Sequence, residues 1–191
     1  KNDVGYRNLV ALQSKAHLEG FYYRPRMDRE LLQQHSEGII VLSGCPSGEI
    51  PKLIATGQLD QARKTAGWFR DVFQDGYYFE LMSHGGVPEQ PAINKGLVEL
   101  SRETGIPLVA TNDSHYVRQE DHSLHDILLC IQTNSTVDDP KRMRFDDQSY
   151  YLKSAEEMSA LWPELPEAVA ETQRIADGCE VRIEFGKLRL P

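Results

Sequence analysis

The sequence is first informative for what it lacks. No uninterrupted apolar run approaches the ~18 residues that a membrane-spanning helix needs, so we expect no membrane span. The chain opens with Lys1, Asn2 and Asp3 and shows no apolar signal segment. It also begins without methionine, and we therefore expect it to be a piece of a longer protein. The absence of a signal segment leads us to expect that this protein is cytoplasmic.

Cysteine is scarce, and acidic residues outnumber basic ones. Cys45, Cys130 and Cys179 form no disulfide framework, and their odd number favours reduced thiols in the cytoplasm. Cys130 lies in the apolar run 127–131 and is predicted to be core. The net charge is −8 over 191 residues, whereas binding to duplex DNA depends on Lys and Arg. Any DNA contact must therefore be local or be made by other parts of the protein.

What the chain does contain is an alternation of short apolar segments and helical patterns. Strands are predicted at 39–42, 77–82 and 107–110, and the first and last have no polar alternation, as is typical of parallel strands buried on both faces. Helical periodicity and capping signals predict helices at 4–18, 28–35, 47–54, 58–73, 88–104, 120–132, from 154 onward, and 166–176. Successive βα units favour an α/β fold with a mostly parallel sheet or barrel.

Potential metal ligands follow two of these strands. Asp113 and His115 come just after the strand at 107–110 and are two residues apart, so their side chains point the same way if the chain stays extended. Cys45 follows the strand at 39–42 in the same manner. Because the carboxyl ends of parallel strands form one functional edge, we expect Cys45, Asp113 and His115 to share a rim and to bind metal.

These residues also have other interpretations. Asn112 and Asp113 are common turn formers, and from the residues alone a solvated turn is an equally good interpretation. Cys45 as a nucleophile is a further alternative, although no specific base or electropositive setting accompanies it. His84 follows the strand at 77–82 and falls on the same rim. A role in supporting the metal ligands or in contacting phosphate is one hypothesis for it, and a structural turn histidine is favoured.

Two other polar groups are predicted to face solvent. His122, His125 and Asp126 have a helical spacing that is compatible with chelation, but their place at a polar helix start favours a solvated face. The basic run 141–144 is a candidate for contact with DNA phosphate, although so short a run is usually exposed charge.

Five segments resemble a known family in their order along the chain. They are GIIVLSGCPSGEI, YYFELMSHGGVPEQ, IPLVATNDSHY, DDPKRMRF and FGKLRLP. Together they are similar to the polymerase and histidinol phosphatase (PHP) domain of the bacterial DNA polymerase III alpha-subunit family, and the resemblance runs from Lys1 to Pro191. It implies a distorted (β/α)7 barrel of the PHP type, of which this chain carries the later βα units and the C-terminal helices. Residues 1–185 would then be an incomplete PHP domain, and 186–191 the start of the connection to the polymerase palm.

The resemblance also implies a metal centre. In PHP domains nine residues hold a cluster of ions, and Cys45, Asp113 and His115 match the last three of them. The other six, including a His-x-His pair, would lie before Lys1. The implied cofactor is a divalent metal, Zn²⁺ or else Mn²⁺ or Mg²⁺, which would support phosphodiester hydrolysis as a 3′→5′ proofreading exonuclease. Three ligands can complete one zinc site but not a cluster, so we expect the chain alone to bind metal weakly or not at all.

By the same resemblance, nucleotide transfer belongs to the parent protein. Its polymerase carboxylates, with Mg²⁺, would lie downstream, and the fragment alone would be inactive. The implied partners are primer–template DNA and the sliding clamp, clamp loader and proofreading exonuclease subunits. Two alternatives stay open: a free-standing PHP phosphoesterase, which the long match after His115 disfavours, and a non-catalytic scaffold that stabilises the polymerase and docks a separate exonuclease.

Overall fold

A computed structural model of the chain describes residues 1–186. In chain order its elements are α1 (Asp3–Leu18), α2 (Arg29–Gln34), β1 (Val41–Leu42), α3 (Glu49–Ala55), α4 (Leu59–Phe73), β2 (Tyr77–Leu81), α5 (Gln90–Thr104), β3 (Leu108–Ala110), α6 (His122–Thr133), α7 (Ala155–Leu161) and α8 (Pro166–Asp177). Short 3-10 turns precede β2 and α6. Apart from Gly186, the predicted connection at 186–191 lies outside the described residues.

The strands form a parallel sheet in the order β1-β2-β3. Val41 pairs with Tyr77, and Phe79 pairs with Leu108. Since both junctions are parallel and each connection passes through helices, the carboxyl ends of all three strands lie at one edge. The α/β class and the parallel arrangement are confirmed. The described residues contain three strands of sheet, and closure into a barrel stays a prediction.

Local capping signals explain where several helices begin and end. The Asn2 side chain accepts hydrogen bonds from the backbone N–H groups of Val4 and Gly5 at the start of α1. Ser154 and Glu157 form a capping box at the start of α7, in which each side chain accepts from the other residue's backbone N–H. Gly105 ends α5 with a φ of 74°, a left-handed conformation that glycine adopts without steric cost.

The core lies where the sheet meets α3, α4, α5 and α8. Phe79 and Leu81 of β2 are fully buried, and alternate residues of that strand point into the same cluster. Helix α8 packs against β3 and adds the fully buried Ala168 to the same cluster. Cys130 is also buried, as predicted. None of the helices within residues 1–186 is long and apolar enough to cross a membrane.

Candidate functional site

The loop after β3, which we call the ligand loop, brings the predicted ligands Asp113 and His115 together. His115 Nε2 lies 3.3 Å from Asp113 Oδ1, and the two side chains are 37% and 42% exposed. The His115 ring meets the Phe145 ring edge to face, with centroids 4.7 Å apart. An imidazole nitrogen and a carboxylate oxygen thus lie next to each other where solvent reaches both side chains.

A later segment, residues 145–153, holds this loop in place, and we call it the strap. The His115 N–H donates to the Tyr150 carbonyl over 2.8 Å. The Asn112 side-chain amide donates to the Tyr151 carbonyl over 2.6 Å, and Tyr151 forms a parallel bridge with Tyr116. The pairing of the strap with the loop after β3 was not predicted, because more than 30 residues separate the two segments.

His84 lies behind the strap and is only 6% exposed. Its Nδ1 is 2.6 Å from the Ser149 hydroxyl, and its ring stacks on Tyr150 with centroids 4.1 Å apart. Burial lowers the pKa of His84, against the opposing effect of the Asp147 carboxylate. Nε2 has no hydrogen-bond partner within residues 1–186. The buried His84 ring thus packs against Tyr150, whose carbonyl accepts the hydrogen bond from the His115 N–H.

Glu80 connects the Cys45 loop to the loop of Asp113. One carboxylate oxygen accepts from the Gly44 N–H over 3.0 Å, and the other accepts from the Thr111 hydroxyl over 2.6 Å. Sequence reasoning missed Glu80. The available signal was an acid within an otherwise apolar and aromatic strand, where a polar group needs partners.

The structure does not place Cys45 in one ligand group with the other two residues. Cys45 is half-buried, and its carbonyl accepts from the Gly48 N–H in a turn that leads into α3. Among the described residues, no group of three or more His, Cys, Asp or Glu side chains is arranged to hold a metal ion. Asp113 and His115 supply two suitable donors, and a complete site would need others.

The prediction of a solvated polar face on α6 was wrong. His125 is half-buried, with its ring centroid 5.5 Å from that of His115 and 5.0 Å from that of Phe145. Burial lowers the pKa of His125, and the nearby His115 and His122 add to this effect. The polar side of α6 thus faces the candidate site, and its large exposed apolar residues lie on the outer side.

The basic run 141–144 is not simply exposed charge. Arg142 forms a two-pronged ion pair with Asp126 of α6, and the two side chains are 11% and 23% exposed. The hydrogen bonds from Arg142 lower the pKa of Asp126. Arg144 pairs with Asp146 at the surface. Arg142 is therefore engaged in attaching this loop to α6 and is not free for phosphate.

Two comparisons with known proteins find similar sequences. Residues 1–84 match the PHP domain. The DNA polymerase III subunit alpha of Treponema pallidum is 48% identical to this chain over 184 residues. The same subunit of Borreliella burgdorferi is 46% identical over 180 residues, and that of Thermus aquaticus is 45% identical over 189 residues. These alignments cover 94–97% of this chain. The chain is thus similar, along almost all of its own length, to one part of these DNA polymerase III alpha subunits. It spans only 16%, 16% and 15% of the length of the Treponema, Borreliella and Thermus proteins.

The two kinds of match extend to different points along the chain. The PHP match ends at residue 84, directly after β2, whereas similarity to the polymerase subunits continues through Asp113, His115 and the strap. Cys45, Glu80 and His84 fall within the PHP match, whereas Asp113, His115 and the strap fall beyond it. The division 1–185 and 186–191 stays a prediction.

Proposed function

We propose that this chain is the later part of the PHP domain of a DNA-directed DNA polymerase, an alpha subunit that acts in DNA replication. The similarity across almost the whole chain supports this proposal and favours it over a free-standing phosphoesterase, because it continues far beyond the PHP match. In this proposal the three observed strands belong to a PHP-type (β/α)7 barrel. Polymerisation, with its Mg²⁺, takes place elsewhere in a cytoplasmic parent.

Within that parent, we propose that the chain contributes to a metal-dependent phosphoesterase site with 3′→5′ proofreading exonuclease activity. The observation that carries this proposal is the 3.3 Å pair of His115 Nε2 and Asp113 Oδ1 beyond the end of β3. Both are ligands for divalent metals, and both remain partly exposed, so a phosphate ester can approach. A thiolate from Cys45 would favour Zn²⁺ over Mn²⁺ or Mg²⁺.

The roles of the residues follow from their contacts. A bound divalent ion would activate a water molecule and neutralise charge on the phosphate oxygens. Asp113 and His115 would hold that ion, with Cys45 as a further ligand if donors outside this chain complete the site. Tyr150 keeps the His115 backbone in position through its carbonyl, and buried His84 supports Tyr150 from behind.

A second candidate function is a scaffold without catalysis. It is favoured by the finding that no three-ligand group exists among the residues that the structure describes. In this case the domain would stabilise the polymerase and dock a separate proofreading exonuclease. In both proposals the further partners of the parent would be primer–template DNA, the sliding clamp and the clamp loader.

The two functions are separated by experiments on the full-length polymerase. Asp113→Asn and His115→Ala are tested for metal content by elemental analysis and for release of nucleotides from a 3′-mismatched primer. His17→Ala is the matched control, since His17 is an exposed residue of α1. Loss of both metal and hydrolysis in the two site variants alone would support the phosphoesterase. Unchanged metal content and unchanged hydrolysis would overturn it and leave the scaffold.

A further inference from the structure

The loop between α1 and α2 carries three adjacent aromatic side chains in solvent. Phe21, Tyr22 and Tyr23 are 61%, 65% and 82% exposed, and every residue from 21 to 30 is exposed. We call residues 21–26 the aromatic loop. Aromatic side chains usually bury much of their large surface, so three neighbouring rings in solvent indicate a surface that a partner covers.

Contacts within the loop fix its shape. The Tyr22 N–H donates to the Arg24 carbonyl over 3.1 Å, and Arg26 Nε donates to the Tyr22 carbonyl over 3.2 Å. The Arg26 guanidinium also lies over the Tyr22 ring, 5.5 Å from its centroid. A Cβ added to Gly20 would lie 2.1 Å from the Arg26 carbonyl oxygen, so the close approach at the base of the loop requires glycine. A defined turn therefore presents the aromatic rings.

Tyr23 holds a backbone conformation that a large side chain rarely adopts. Its φ is 59°, in the left-handed region where glycine has no steric penalty. Its ring meets the Tyr22 ring edge to face, with centroids 4.6 Å apart, and is otherwise open to solvent. Because glycine would close this turn at lower cost, we look for the role of the ring outside the folding of the loop.

The loop is positively charged on an otherwise acidic chain. Residues 20–27 include Arg24 and Arg26 and no acid, whereas the net charge of the chain is −8. Neither arginine forms an ion pair within the part of the chain that the structure describes. The flanking acids are engaged, Glu19 in an ion pair and Asp28 as the cap of α2. The loop thus offers positive charge to an anionic partner.

The aromatic loop lies toward the edge of the sheet at which the strands end. Helix α1 starts at the opposite edge, where the Lys1 amino group donates to the carbonyl of Gly38, just before β1, over 2.6 Å. The 16 residues of α1 extend about 24 Å, whereas the five residues of β2 extend about 17 Å. Beyond the loop, Arg29 forms an ion pair with Glu49, shortly after Cys45 in the chain. The loop and the candidate site therefore share one side of the domain.

We propose that the aromatic loop binds the single-stranded end of the nucleic acid on which the candidate site acts. Tyr22 and Tyr23 would stack on unpaired bases, and Arg24 would contact a phosphate. Aromatic rings beside positive charge suit single strands, because every base has a face for stacking. A duplex is disfavoured, since its bases are already stacked and its binding depends on more basic residues than the loop has. The proposal rests on the proposed phosphoesterase, for which a mismatched 3′ end is unpaired.

The two arginines have different roles in this proposal. Arg26 is bonded to the Tyr22 carbonyl and lies over its ring, so it orders the loop. The Arg24 side chain makes no hydrogen bond, ion pair or ring contact among residues 1–186 and is available to phosphate. A change at Arg24 therefore removes the phosphate contact and leaves the turn intact.

The first test is ultraviolet cross-linking of the full-length polymerase to a single-stranded oligothymidine, without divalent metal so that no hydrolysis occurs. Cross-linked peptides are identified by mass spectrometry. We expect a cross-link in the peptide that contains Tyr22 and Tyr23, with a yield about tenfold lower for a blunt duplex of the same length. Equal yields with the duplex would overturn the proposal. Cross-links elsewhere in the polymerase but none in this peptide would also overturn it, in favour of a protein contact.

Arg24→Gln keeps the aromatic rings that form the cross-link. It is expected to lower the yield in this peptide about threefold to tenfold at low salt, and less at high salt, because phosphate contacts weaken as salt increases. Arg24→Lys should restore most of the yield. Arg102→Gln is the matched control, since Arg102 is an exposed residue of α5. Equal yields in Arg24→Gln and Arg102→Gln would overturn the proposed phosphate contact.

A kinetic test distinguishes this proposal from the proposed function. Tyr23→Ala is expected to raise KM for nucleotide release from a 3′-mismatched primer about tenfold with kcat nearly unchanged, because stacking binds the strand and takes no part in the reaction. Tyr23→Phe keeps the ring and should keep KM, and Tyr6→Ala, on α1, is the control. Unchanged KM in Tyr23→Ala would overturn the proposal. If the polymerase releases no nucleotides at all, the phosphoesterase is wrong, and the metal-free cross-linking alone decides whether the loop binds single strands.

Discussion

The Thr111 hydroxyl donates a hydrogen bond to the Glu80 carboxylate over 2.6 Å. The other carboxylate oxygen accepts from the Gly44 backbone, so one side chain on β2 joins the loop after β1 to the loop after β3. The Glu80 N–H in turn donates to the Ser43 hydroxyl over 2.8 Å. This arrangement connects the loops that carry Cys45 and Asp113 through the central strand.

Glu80→Gln is predicted to lower the free energy of unfolding by about 1–3 kcal/mol. Both oxygens of the Glu80 carboxylate accept hydrogen bonds, whereas the NH₂ group of glutamine would be placed against one of these two donors and could not accept from it. Thr111→Val, which removes one donor at similar volume, is predicted to cost about 1 kcal/mol. Urea unfolding measures both changes. Glu99→Gln, on the exposed side of α5, is the control and should change stability little. Equal effects of Glu80→Gln and Glu99→Gln would contradict the linking role of Glu80.

Elements that depend on local signals were predictable from the sequence. The Asp28 cap of α2, the capping box of α7 and Gly105 at the end of α5 each act within a few residues, and the helix boundaries follow them closely. The strands were also found, although β1 is shorter than predicted: the Ile39 N–H donates to the Ser36 carbonyl in a turn instead of pairing with β2.

Features that depend on distant contacts were not predictable. The strap meets the ligand loop across more than 30 residues, and no local pattern encodes that pairing. The apolar run 127–131 indicated core, yet only Leu129 and Cys130 of that run are buried, because α6 carries apolar residues on more of its circumference than the domain can cover. The polar residues His125 and Asp126 then face inward, opposite to the expectation from composition.

The burial of His84 makes stability depend on pH. Its folded-state pKa lies below the ordinary value of 6.5, so on acidification the unfolded chain takes up a proton at this residue before the folded chain does. The unfolded state therefore binds more protons between about pH 6.5 and the lower folded pKa, and stability falls as the pH decreases through that window. The charged and titratable groups around His84 are Asp147, Asp113, Lys153, His115 and Tyr150.

His84→Phe is predicted to make this decrease less steep, because phenylalanine keeps a ring against Tyr150 but does not titrate. The measurement is the midpoint of urea unfolding between about pH 7.5 and pH 5. His125, whose pKa is also lowered, would account for part of the slope that remains. A variant whose stability falls as steeply as that of the parent sequence would show that His84 is not a source of the pH dependence.

Two glycines within helices offer a matched test of packing between α3 and α5. A Cβ added at Gly96 of α5 would lie 2.5 Å from Cγ2 of Ile54, a buried residue of α3. A Cβ at Gly67 of α4 would meet no atom within 4 Å outside its own helix and neighbours. The first glycine permits a close helix contact, and the second has no such reason.

Gly96→Ala is therefore predicted to lower the free energy of unfolding by about 1–3 kcal/mol through overpacking. Gly67→Ala is predicted to raise it by about 0.5–1 kcal/mol, since alanine restricts the unfolded chain and favours helix. Opposite signs in urea unfolding are the expected result. A stabilising Gly96→Ala would mean that Ile54 moves aside at little cost and that α3 and α5 are less closely fitted than the structure indicates.

Asn112 is the residue through which the strap most directly holds the ligand loop. Its amide donates to the carbonyls of Tyr151 and Ser149, over 2.6 and 3.1 Å, and its oxygen accepts from the Lys153 ammonium over 3.2 Å. Removing the side chain would delete all three of these hydrogen bonds and leave the strap with its weaker contacts, such as the 3.4 Å hydrogen bond from the Ser114 hydroxyl to the Tyr151 carbonyl. The neighbouring hydrogen bond from the His115 N–H to the strap should then open more often.

Asn112→Ala is accordingly predicted to lower the free energy of unfolding by about 1–2 kcal/mol and to speed amide hydrogen exchange at His115. Asn8→Ala is the matched control, because the Asn8 amide also donates to a backbone carbonyl, that of Glu37, over 2.9 Å. It should leave His115 exchange unchanged. If exchange at His115 were the same in both variants, the strap would be held by its backbone bridges alone. Faster exchange at His115 in Asn112→Ala alone would instead mean that the geometry of Asp113 and His115 depends on a side chain that is not itself a predicted ligand.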